Sequence, residues 1–553
     1  MVESGRAILP QLTLESEFFW TSGADGRLRL QECADCKSLI HPPAPVCRYC
    51  RSQNMGVRPV SGRATLIGFT VNHRFSLPGL PAPYVVAQVA VEEDPRVRLT
   101  TNAVDCDPDA LQLGQQMEVI FEQAGAVWLP LFRPTGEAEL APLPDDEIAP
   151  EDFHRFIRPP VTREKFEEKS ALTGIGASRL GRRLMVPPLS LTLEACEAAI
   201  ADAGLTFDDI DGLSTYPGLD TAGMGEGGVS ALEGALGIRP TWFNGGMDTF
   251  GPGGSVIAAM MAVATGMARH VLCFRTLWEA TFSQLMKEGK ASPPGGGGGG
   301  MMGWQMPFGA TSAAHTLAQN AQRHFHRYGT TRETLGWIAL NQRANAALNP
   351  TAIYRDPLTM DDYLSARMIT TPFGLYDCDV PCDGAVAVIV SAVDVARDLA
   401  KPPVLIEAVG TQIVERTDWD QSTLTHEPQV LGQAAHLWTR TQLRPNDVDV
   451  AELYDGFTFN CLSWLEALGF CGIGEAKDFL DGGHNIARDG IIPLNTHGGQ
   501  LSHGRTHGMG LIHEAVTQLR GEAGERQVTG AKVAVASSGG LTPSGVLLLR
   551  ADG

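Results

Sequence analysis

Residues 62 to 123 alternate apolar and polar side chains in short runs, with turn-forming residues between the runs. A period of two is typical of β-strands whose two faces meet different surroundings. The runs are Gly62 to His73, Tyr84 to Glu92, Arg96 to Val104 and Met117 to Gln123. Several short strands at close spacing predict a small all-β barrel.

From Ser170 onward, the pattern changes to alternating strand and helix signals. The segment ALTGIGASRLG, which starts at Ala171, predicts a strand and a glycine turn. Leu189 to Gly204 has helical spacing of its apolar residues and ends at a glycine, as many helices do. DDIDGLSTYPG follows and predicts another strand. This alternation predicts a layered α/β domain.

The α/β region contains an internal repeat. Thr206 to Gly218 is echoed by Arg444 to Phe457, each with an acidic turn, a short apolar strand and a tyrosine near its end. Later in each half, a glycine-rich turn precedes an apolar helix and a strand, at Phe250 to Phe274 and at His507 to Gly540. Two similar halves place equivalent loops around one shared pocket. The alternative is a chance similarity, because turn residues between strands and helices are alike in many α/β chains.

The chain has 553 residues, which exceeds what one hydrophobic core supports, so we expect several domains. The pattern changes predict a cysteine-rich N-terminal module over 1–60, the barrel over 61–145, a Pro- and acid-rich linker over 146–169, and the α/β domain over 170–553. Within that domain the two pseudo-repeats cover about 170–400 and 401–553.

Charge and apolar run lengths narrow the possible partners. The net charge is −20, from 43 basic and 63 acidic residues, which disfavours binding to nucleic acid or to an anionic membrane surface. No signal peptide pattern opens the chain, and the longest apolar run, Ser255 to Ala268, is too short to span a bilayer. An odd cysteine count of eleven favours a reducing compartment over a disulfide framework. We therefore expect a cytoplasmic protein.

Four cysteines form a motif with metal-ligand spacing: Cys33, Cys36, Cys47 and Cys50. Two C-x-x-C pairs can bring four thiolates tetrahedrally around zinc, and iron in the same cage is an alternative. Four protein ligands leave no open position for a substrate. The sequence therefore predicts a structural metal site, with loss of the metal from a degenerate ribbon as the alternative.

The stretch NTHGGQLSHGRTHGMG, from Asn495 to Gly510, combines three histidines, an arginine and five glycines ahead of an apolar helix at Leu511 to Leu519. Glycines allow close approach to a ligand, and histidines titrate near neutral pH. The stretch predicts an acid–base site; a glycine-rich surface loop with solvated histidines is the alternative.

The N-terminal modules resemble the DUF35 family, which joins a rubredoxin-like zinc ribbon to an OB fold. In that family the module accompanies thiolase-like or other acyl-CoA enzymes as a partner or a fused domain. OB folds often bind nucleic acid, but acidic residues outnumber basic ones in this region too, and a fold by itself does not fix a function.

Residues 170–553 resemble the thiolase superfamily, in its lipid-transfer-protein or sterol-carrier-protein-type branch. Four motifs occur in the order of that family: AAIADAGLTFDDIDGL from Ala198, GLYDCDVPCDGAVAVIVS from Gly374, ELYDGFTFN from Glu452 and LNTHGGQLS from Leu494. The resemblance implies a duplicated, layered α/β/α/β/α domain, an acyl-CoA thioester as substrate and a homodimer.

Several family positions carry different residues here. The nucleophilic cysteine of a thiolase falls at Gly251, and the second cysteine falls at Ser537. Arg505 replaces the usual histidine of the Gly-His-Pro turn, and Tyr454 replaces an Asn or His. Without a thiolate no ready route leads to an acyl-enzyme. The resemblance leaves a thioester pocket, with these lining candidates: His497, Gly498, Gly499, Gly251, Gly253, Gly254 and Ser537.

The domain is most similar to the thiolase-like aldolases of sterol side-chain degradation, which use tyrosines. Tyr454 matches the tyrosine of their YDGF motif, whereas their second tyrosine falls at Arg505. The resemblance implies a retro-aldol cleavage of a β-hydroxyacyl-CoA. Tyr454, His503 and His507 remain the candidate bases, with Arg505 in oxyanion or thioester binding and Asp455 in loop organisation.

Two other functions stay open from the sequence. One is a cysteine-independent thiolase or acyltransferase acting on a 3-oxoacyl-CoA. The other is a non-catalytic acyl-CoA or lipid-binding protein with a decayed site.

Overall fold

A computed structural model describes residues 5–552, apart from residues 7, 75, 163, 218–224, 247, 292–299 and 540–542. Its N-terminal strands are β1 Arg29–Cys33, β2 Leu39–Ile40, β3 Met55–Pro59, β4 Arg63–Asn72, β5 Tyr84–Val91, β6 Asp94–Ala103, β7 Gln116–Ala124 and β8 Val127–Pro134. The later strands are β9 Ser170–Ala177, β10 Gly212–Thr215, β11 Trp242–Gly245, β12 His270–Trp278, β13 Met368–Thr370, β14 Phe373–Gly374, β15 Asp383–Ala392, β16 Val404–Gly410, β17 Val450–Glu452, β18 Val533–Ser538 and β19 Gly545–Ala551.

The α-helices are α1 Glu17–Trp20, α2 Pro188–Ala203, α3 Gly228–Leu236, α4 Gly251–Ala264, α5 Glu279–Lys287, α6 Ala313–Tyr328, α7 Arg332–Ala347, α8 Met360–Ser365, α9 Val393–Ala396, α10 Leu431–Leu437, α11 Thr458–Ala467, α12 Ala476–Phe479 and α13 Met509–Leu519. Short 3-10 turns and one π-helical turn, Gly499–His503, connect some of them. Among the described residues, none of these helices combines the length and apolarity that crossing a membrane requires.

The zinc ribbon is a three-stranded sheet, β2-β1-β3, with two matching cysteine knuckles. The N–H of Lys37 donates to the carbonyl of Cys33, and the N–H of Arg51 donates to the carbonyl of Cys47. Lys37 and Arg51 both have positive φ, so each knuckle turns tightly after its second cysteine. The thiols of Cys33, Cys36, Cys47 and Cys50 all lie within 4.8 Å of one another.

These thiols fit a tetrahedral metal. The Sγ atoms of Cys33 and Cys50 are 3.5 Å apart, as are those of Cys36 and Cys47. A zinc–sulfur bond of about 2.3 Å places tetrahedral thiolates about 3.8 Å apart. The donor set therefore matches the structural metal site that the spacing predicts.

The OB fold is a closed barrel of five strands, β4-β5-β6-β8-β7, completed by the pairing of β7 with β4. The four predicted runs are all strands in it, so the barrel prediction is confirmed. Strand β8 was not predicted because it contains Pro130 and Pro134, which interrupt a strand pattern. Tertiary pairing with β7 overrides that local signal.

The α/β domain contains one nine-stranded sheet made of two halves in mirrored order. The first half runs β11-β10-β12-β15-β9, and the second runs β16-β19-β18-β17. In the first half, β9 pairs with β15 and β15 with β12 in antiparallel fashion, and β12 then pairs with β10 in parallel. In the second half, the β16–β19 and β19–β18 pairs are likewise antiparallel, and β18 pairs with β17 in parallel. Leu494 bridges to Ala451 in parallel at the place that β11 occupies in the first half. The internal duplication is therefore confirmed.

The halves share a central layer of two helices. Helices α4 and α13 contact each other, and each contacts strands of both halves. Helix α2 packs on β9, β12 and β15, and α10 packs on β16 and β19. The largely apolar sequence of α4 fits burial on many sides, with Val256, Ala259 and Met260 fully buried. The two halves of the sheet thus form two strand layers, with α4 and α13 between them and α2 and α10 outside, which is the layered α/β/α/β/α fold.

The barrel joins the α/β domain by strand addition. Thr370 of β13 pairs with Asn72 at the end of β4. The N–H of Thr371 donates to the carbonyl of Val71 at 3.1 Å, and the hydroxyls of Thr70 and Thr370 are 2.6 Å apart. The chain then continues through β14 into residues 375–382, so the barrel edge fixes the segment that leads to the candidate site.

We expect Cys47→Ser to reduce bound zinc from about one atom per chain to near zero and to lower the thermal unfolding midpoint. Metal analysis and calorimetry of the purified chain measure both effects. Cys106→Ser is the control, because Cys106 is a half-buried thiol outside the four-thiol cluster. Full metal content in Cys47→Ser would contradict the four-ligand assignment.

Candidate active site

Loops from both halves meet at the end of β18. The N–H of Tyr454, just after β17, donates to Ser537 Oγ at 2.7 Å. The ring of Tyr454 lies against Gly539, because a Cβ built there would be 3.0 Å from its Cδ1. The carbonyl of Gly539 in turn faces Gly251, the first residue of α4. The loops of the two halves therefore bring Gly251, Ser537 and Tyr454 together.

The position of the missing nucleophile is closed to side chains. Gly251 has a φ of 61°, and a Cβ there would lie 2.7 Å from the carbonyl oxygen of Gly539. Gly253 donates its N–H to Ser538 Oγ at 3.0 Å, and Gly254 packs on Thr249. The glycines thus allow α4 to begin against β18. Cys273 is buried in β12, and burial raises the pKa of its thiol.

Tyr454 stays protonated at neutral pH. Burial raises the pKa of its phenol above the ordinary value, and the charge of Arg505 opposes that shift. Tyr216, just after β10, lies near enough to influence the same phenol. Each half therefore contributes one buried tyrosine from the loop after its equivalent strand, as the repeat in the sequence indicates.

Arg505 joins two carboxylates and an imidazole. Its Nη1 lies 2.9 Å from Glu279 Oε2, and its Nε lies 3.1 Å from Asp379 Oδ2. Nε also donates to His507 Nε2 at 2.8 Å. The side chain of Arg505 keeps 30% exposure, whereas that of Asp379 keeps 9%. These side chains therefore form a charged cluster that is partly exposed to solvent.

His507 lies between two guanidinium groups. Its Nδ1 is 2.8 Å from Arg275 Nη2, while its Nε2 faces Arg505. Burial lowers the pKa of His507 well below its ordinary value, and the charges of Arg505 and Arg275 add to that effect. A neutral imidazole accepts at one nitrogen only, so one of the two guanidiniums keeps a donor for another acceptor. The catalytic role of His507 stays a prediction. In this geometry the neutral imidazole separates the guanidinium groups of Arg275 and Arg505.

His503 and His497 pair with each other on another face of the turn. Their rings are 4.9 Å apart, and His503 Nε2 lies 3.2 Å from Thr351 Oγ1. Burial lowers the pKa of His503 well below its ordinary value. Burial also opposes the charged form of His497, but the nearby Glu452 carboxylate raises its pKa overall. Their described contacts do not include Tyr454, so the acid–base role of His503 stays a prediction.

Asp455 holds the glycine turn. Its Oδ1 accepts the N–H of Gln500 at 2.8 Å, and a Cβ at Gly499 would overlap its Oδ2 at 1.9 Å. Gly498 packs on Ala346 in the same way. Burial raises the pKa of Asp455 to about 6. These contacts fit the loop-organising role, and they explain why two glycines are needed there.

The structure adds Asp379, Glu279, Arg275 and Tyr216 to the residues singled out in the sequence. Burial raises the pKa of Asp379 to about 7, and Glu279 and Asp455 act in the same direction against Arg505. Asp379 belongs to the quoted motif GLYDCDVPCDGAVAVIVS, so a signal was present. The spacing of residues in the sequence does not predict the contact between Asp379 and Arg505, because the two lie in distant parts of the chain.

A second group of possible metal ligands is fully buried: His324, His426 and Glu466. Glu466 Oε2 lies 2.8 Å from His426 Nε2 and 3.2 Å from His324 Nε2, and it accepts the N–H of Gly474. Burial opposes ionisation of Glu466, but the two imidazoles lower its pKa overall. Threonine hydroxyls partner both remaining ring nitrogens. The group is a closed hydrogen-bond network.

Family models match three parts of the chain. Residues 20–56 match "ChsH2, rubredoxin-like zinc ribbon domain" and residues 57–122 match "ChsH2, C-terminal OB-fold domain". Residues 411–549 match "Thiolase C-terminal domain-like". Ribbon, barrel and thiolase-like domain thus occur in one polypeptide.

Two curated relatives match most of their own length. The chain is 36% identical to a steroid side-chain-cleaving aldolase of Thermomonospora curvata, over 68% of this chain and 97% of the relative. It is also 36% identical to the 17-hydroxy-3-oxo-4-pregnene-20-carboxyl-CoA lyase of Mycobacterium tuberculosis, over 69% and 99%. A solved structure titled "Ltp2-ChsH2(DUF35) aldolase" matches with a TM-score of 0.62 and 34% identity, over 70% of this chain and 98% of that one.

We expect Gly251→Cys to lower the free energy of unfolding and to give no CoA-dependent thiolysis, because its side chain meets the Gly539 carbonyl. Gly266→Ala is the control: Gly266 has a φ of 74° with open space around a Cβ, so the left-handed backbone alone should cost about 1–2 kcal/mol. Denaturant unfolding should show a larger loss for Gly251→Cys. Equal losses in the two variants would contradict the close approach.

Proposed function

The chain belongs to the thiolase-like family that includes the steroid side-chain-cleaving aldolases, and we propose that it cleaves the Cα–Cβ bond of a β-hydroxyacyl-CoA thioester. The observation that carries this proposal is the replacement of a nucleophile by Gly251 beside a buried phenol and a guanidinium cluster. Acyl transfer through a cysteine has no residue to carry it there.

A retro-aldol cleavage needs a base, an acid and a group that accepts negative charge. The proton of the β-hydroxyl leaves, the Cα–Cβ electron pair moves into a thioester enolate, and Cα is then protonated. Tyr454 supplies a phenol that remains protonated and can donate to the thioester oxygen. Arg505 supplies fixed positive charge within electrostatic reach of Tyr454. The reaction is redox-neutral and consumes no water.

The names of the two relatives favour a steroid thioester as the first substrate to test. In 17-hydroxy-3-oxo-4-pregnene-20-carboxyl-CoA, the hydroxyl stands on the carbon β to the thioester carbonyl. Cleavage of that compound releases a 17-ketosteroid and a short acyl-CoA. An aliphatic or aromatic β-hydroxyacyl-CoA is the second choice.

We expect Tyr454→Phe to lower kcat by about 10²–10⁴-fold while KM changes only a few-fold, because the phenol acts in the transition state. Product formation from the steroid thioester, followed by chromatography, measures the effect. Tyr328→Phe is the control, since its hydroxyl contacts Glu151 on another part of the domain.

Three results would count against the proposal. Release of products only when free CoA and a 3-oxoacyl-CoA are present would favour an acyltransferase. Tight thioester binding with no turnover would favour a binding protein. Equal rates for Tyr454→Phe and the unmodified chain would remove the phenol from the mechanism.

We also propose a homodimer through strand β11. In the described part of the chain, β11 pairs only with β10, so its outer edge is unpaired. Phe243 on this strand is 67% exposed, and Met261 and Met267 are exposed beside it on and after α4. An unpaired edge strand with exposed apolar neighbours favours pairing with a second copy.

We expect Phe243→Glu to convert a dimer to a monomer, because the substitution places charge on the apolar edge. Light scattering coupled to gel filtration measures the mass. Ile491→Glu is the matched control, because Ile491 is 68% exposed on a different segment. A dimer that survives Phe243→Glu would place the interface elsewhere.

A further inference from the structure

Asp379 lies where three segments of the site are joined. Its N–H donates to the carbonyl of Gly456 at 3.0 Å, in the same loop as Tyr454. The next residue, Val380, donates to Gln500 and accepts from the N–H of Arg505, both at 3.1 Å. The backbone on either side of the carboxylate is therefore fixed to the tyrosine loop and to the arginine turn.

We propose that Asp379 is the base that takes the proton from the substrate's β-hydroxyl, an inference that rests on the proposed function. Its carboxylate is 9% exposed and lies 3.1 Å from Arg505 Nε. The side chains of Arg505 and Glu279 in the same cluster keep 30% and 19% exposure, so the cluster meets solvent. The histidines named from the sequence are either paired away from Tyr454 or held between guanidiniums.

The protons and electrons of the step balance. The β-hydroxyl proton moves to the Asp379 carboxylate, and the O–H electron pair forms the new carbonyl. The Cα–Cβ pair moves into the enolate, whose oxygen accepts from Tyr454. The neutral Asp379 acid then gives its proton to Cα, which releases the shorter acyl-CoA and restores the carboxylate. No other reactant is consumed.

The charges around Asp379 suit a group that both takes and returns a proton. Burial, helped by Glu279 and Asp455 and opposed by Arg505, raises its pKa to about 7. Among the described residues, Tyr454, Cys378 and Cys382 are also titratable neighbours of Asp379. Because the base acts when ionised, activity should fall as the pH drops through about 7.

The barrel holds the segment that carries this carboxylate. Strand β13 is paired to β4 of the barrel at Thr370, and the chain reaches Asp379 after β14 and one 3-10 turn. Within that turn, Asp377 accepts from the hydroxyls of Tyr363 and Thr458 and from the N–H of Gly374. The fused module therefore helps to position the proposed base.

We expect Asp379→Asn to lower kcat for cleavage by about 10²–10⁴-fold with KM within a few-fold, and to remove the fall in activity at acid pH. Asp420→Asn is the matched control, because Asp420 is a similarly buried carboxylate with a raised pKa at the barrel junction. Its kcat should stay within a few-fold of the unmodified chain. A kcat for Asp379→Asn equal to that of this control overturns the proposal.

Glu279→Gln keeps the test open should Asp379→Asn not fold. Removing this negative charge favours the ionised form of Asp379, so the acid limb of the pH–rate profile should move to lower pH. A purely structural Asp379 predicts no such movement. An unmoved acid limb overturns the proposal.

Deuterium exchange separates this inference from the proposed function. A short acyl-CoA such as propionyl-CoA, incubated with the chain in D₂O, should gain deuterium at Cα, because Asp379 serves that carbon too. Asp379→Asn should lose the exchange. Exchange without cleavage of β-hydroxyacyl thioesters overturns the proposed function and leaves Asp379 as the group that transfers the Cα proton. Full exchange in Asp379→Asn overturns the inference alone.

Discussion

The two half-domains share one buried layer of helices, and the candidate site depends on that constraint. Helices α4 and α13 lie between strands of both halves, and both begin beside the end of β18. Gly251 therefore meets the Gly539 carbonyl, and Gly508 meets Ser538. A side chain at Gly251 would push the halves apart. Chemistry at this junction has to come from groups around the helix ends.

Buried charge is the second constraint on the site. Arg505 and Arg275 are balanced by Asp379, Glu279 and Glu226 within one cluster. Buried groups remain charged only where they are paired, and their charges shift the pKa of neighbouring groups. Burial, together with two guanidiniums, lowers the pKa of His507 well below its ordinary value, whereas burial and two carboxylates raise the pKa of Asp379 to about 7 against one arginine.

The barrel contributes to this site through backbone pairing. An added strand supplies main-chain hydrogen bonds between the two modules. Thr370 and Thr371 form that pairing with β4, a few residues before the loop of Asp379. The stacked rings of Trp20 and Trp304, 4.9 Å apart, add an apolar contact between the modules. Through the pairing of β13 with β4, the fused module positions the segment that leads to Asp379.

The sequence by itself determined the ribbon, most of the barrel, the duplication and the position of Tyr454 near the end of a strand. Each of these follows from the local spacing of residues or from the period of apolar positions. The sequence did not reveal strand β8, whose prolines mask the pattern, and it did not single out Asp379, which lies beside Arg505. Which charged groups meet was decided only by the tertiary structure. Burial and neighbouring charge set a pKa, and both arise when distant segments pack together.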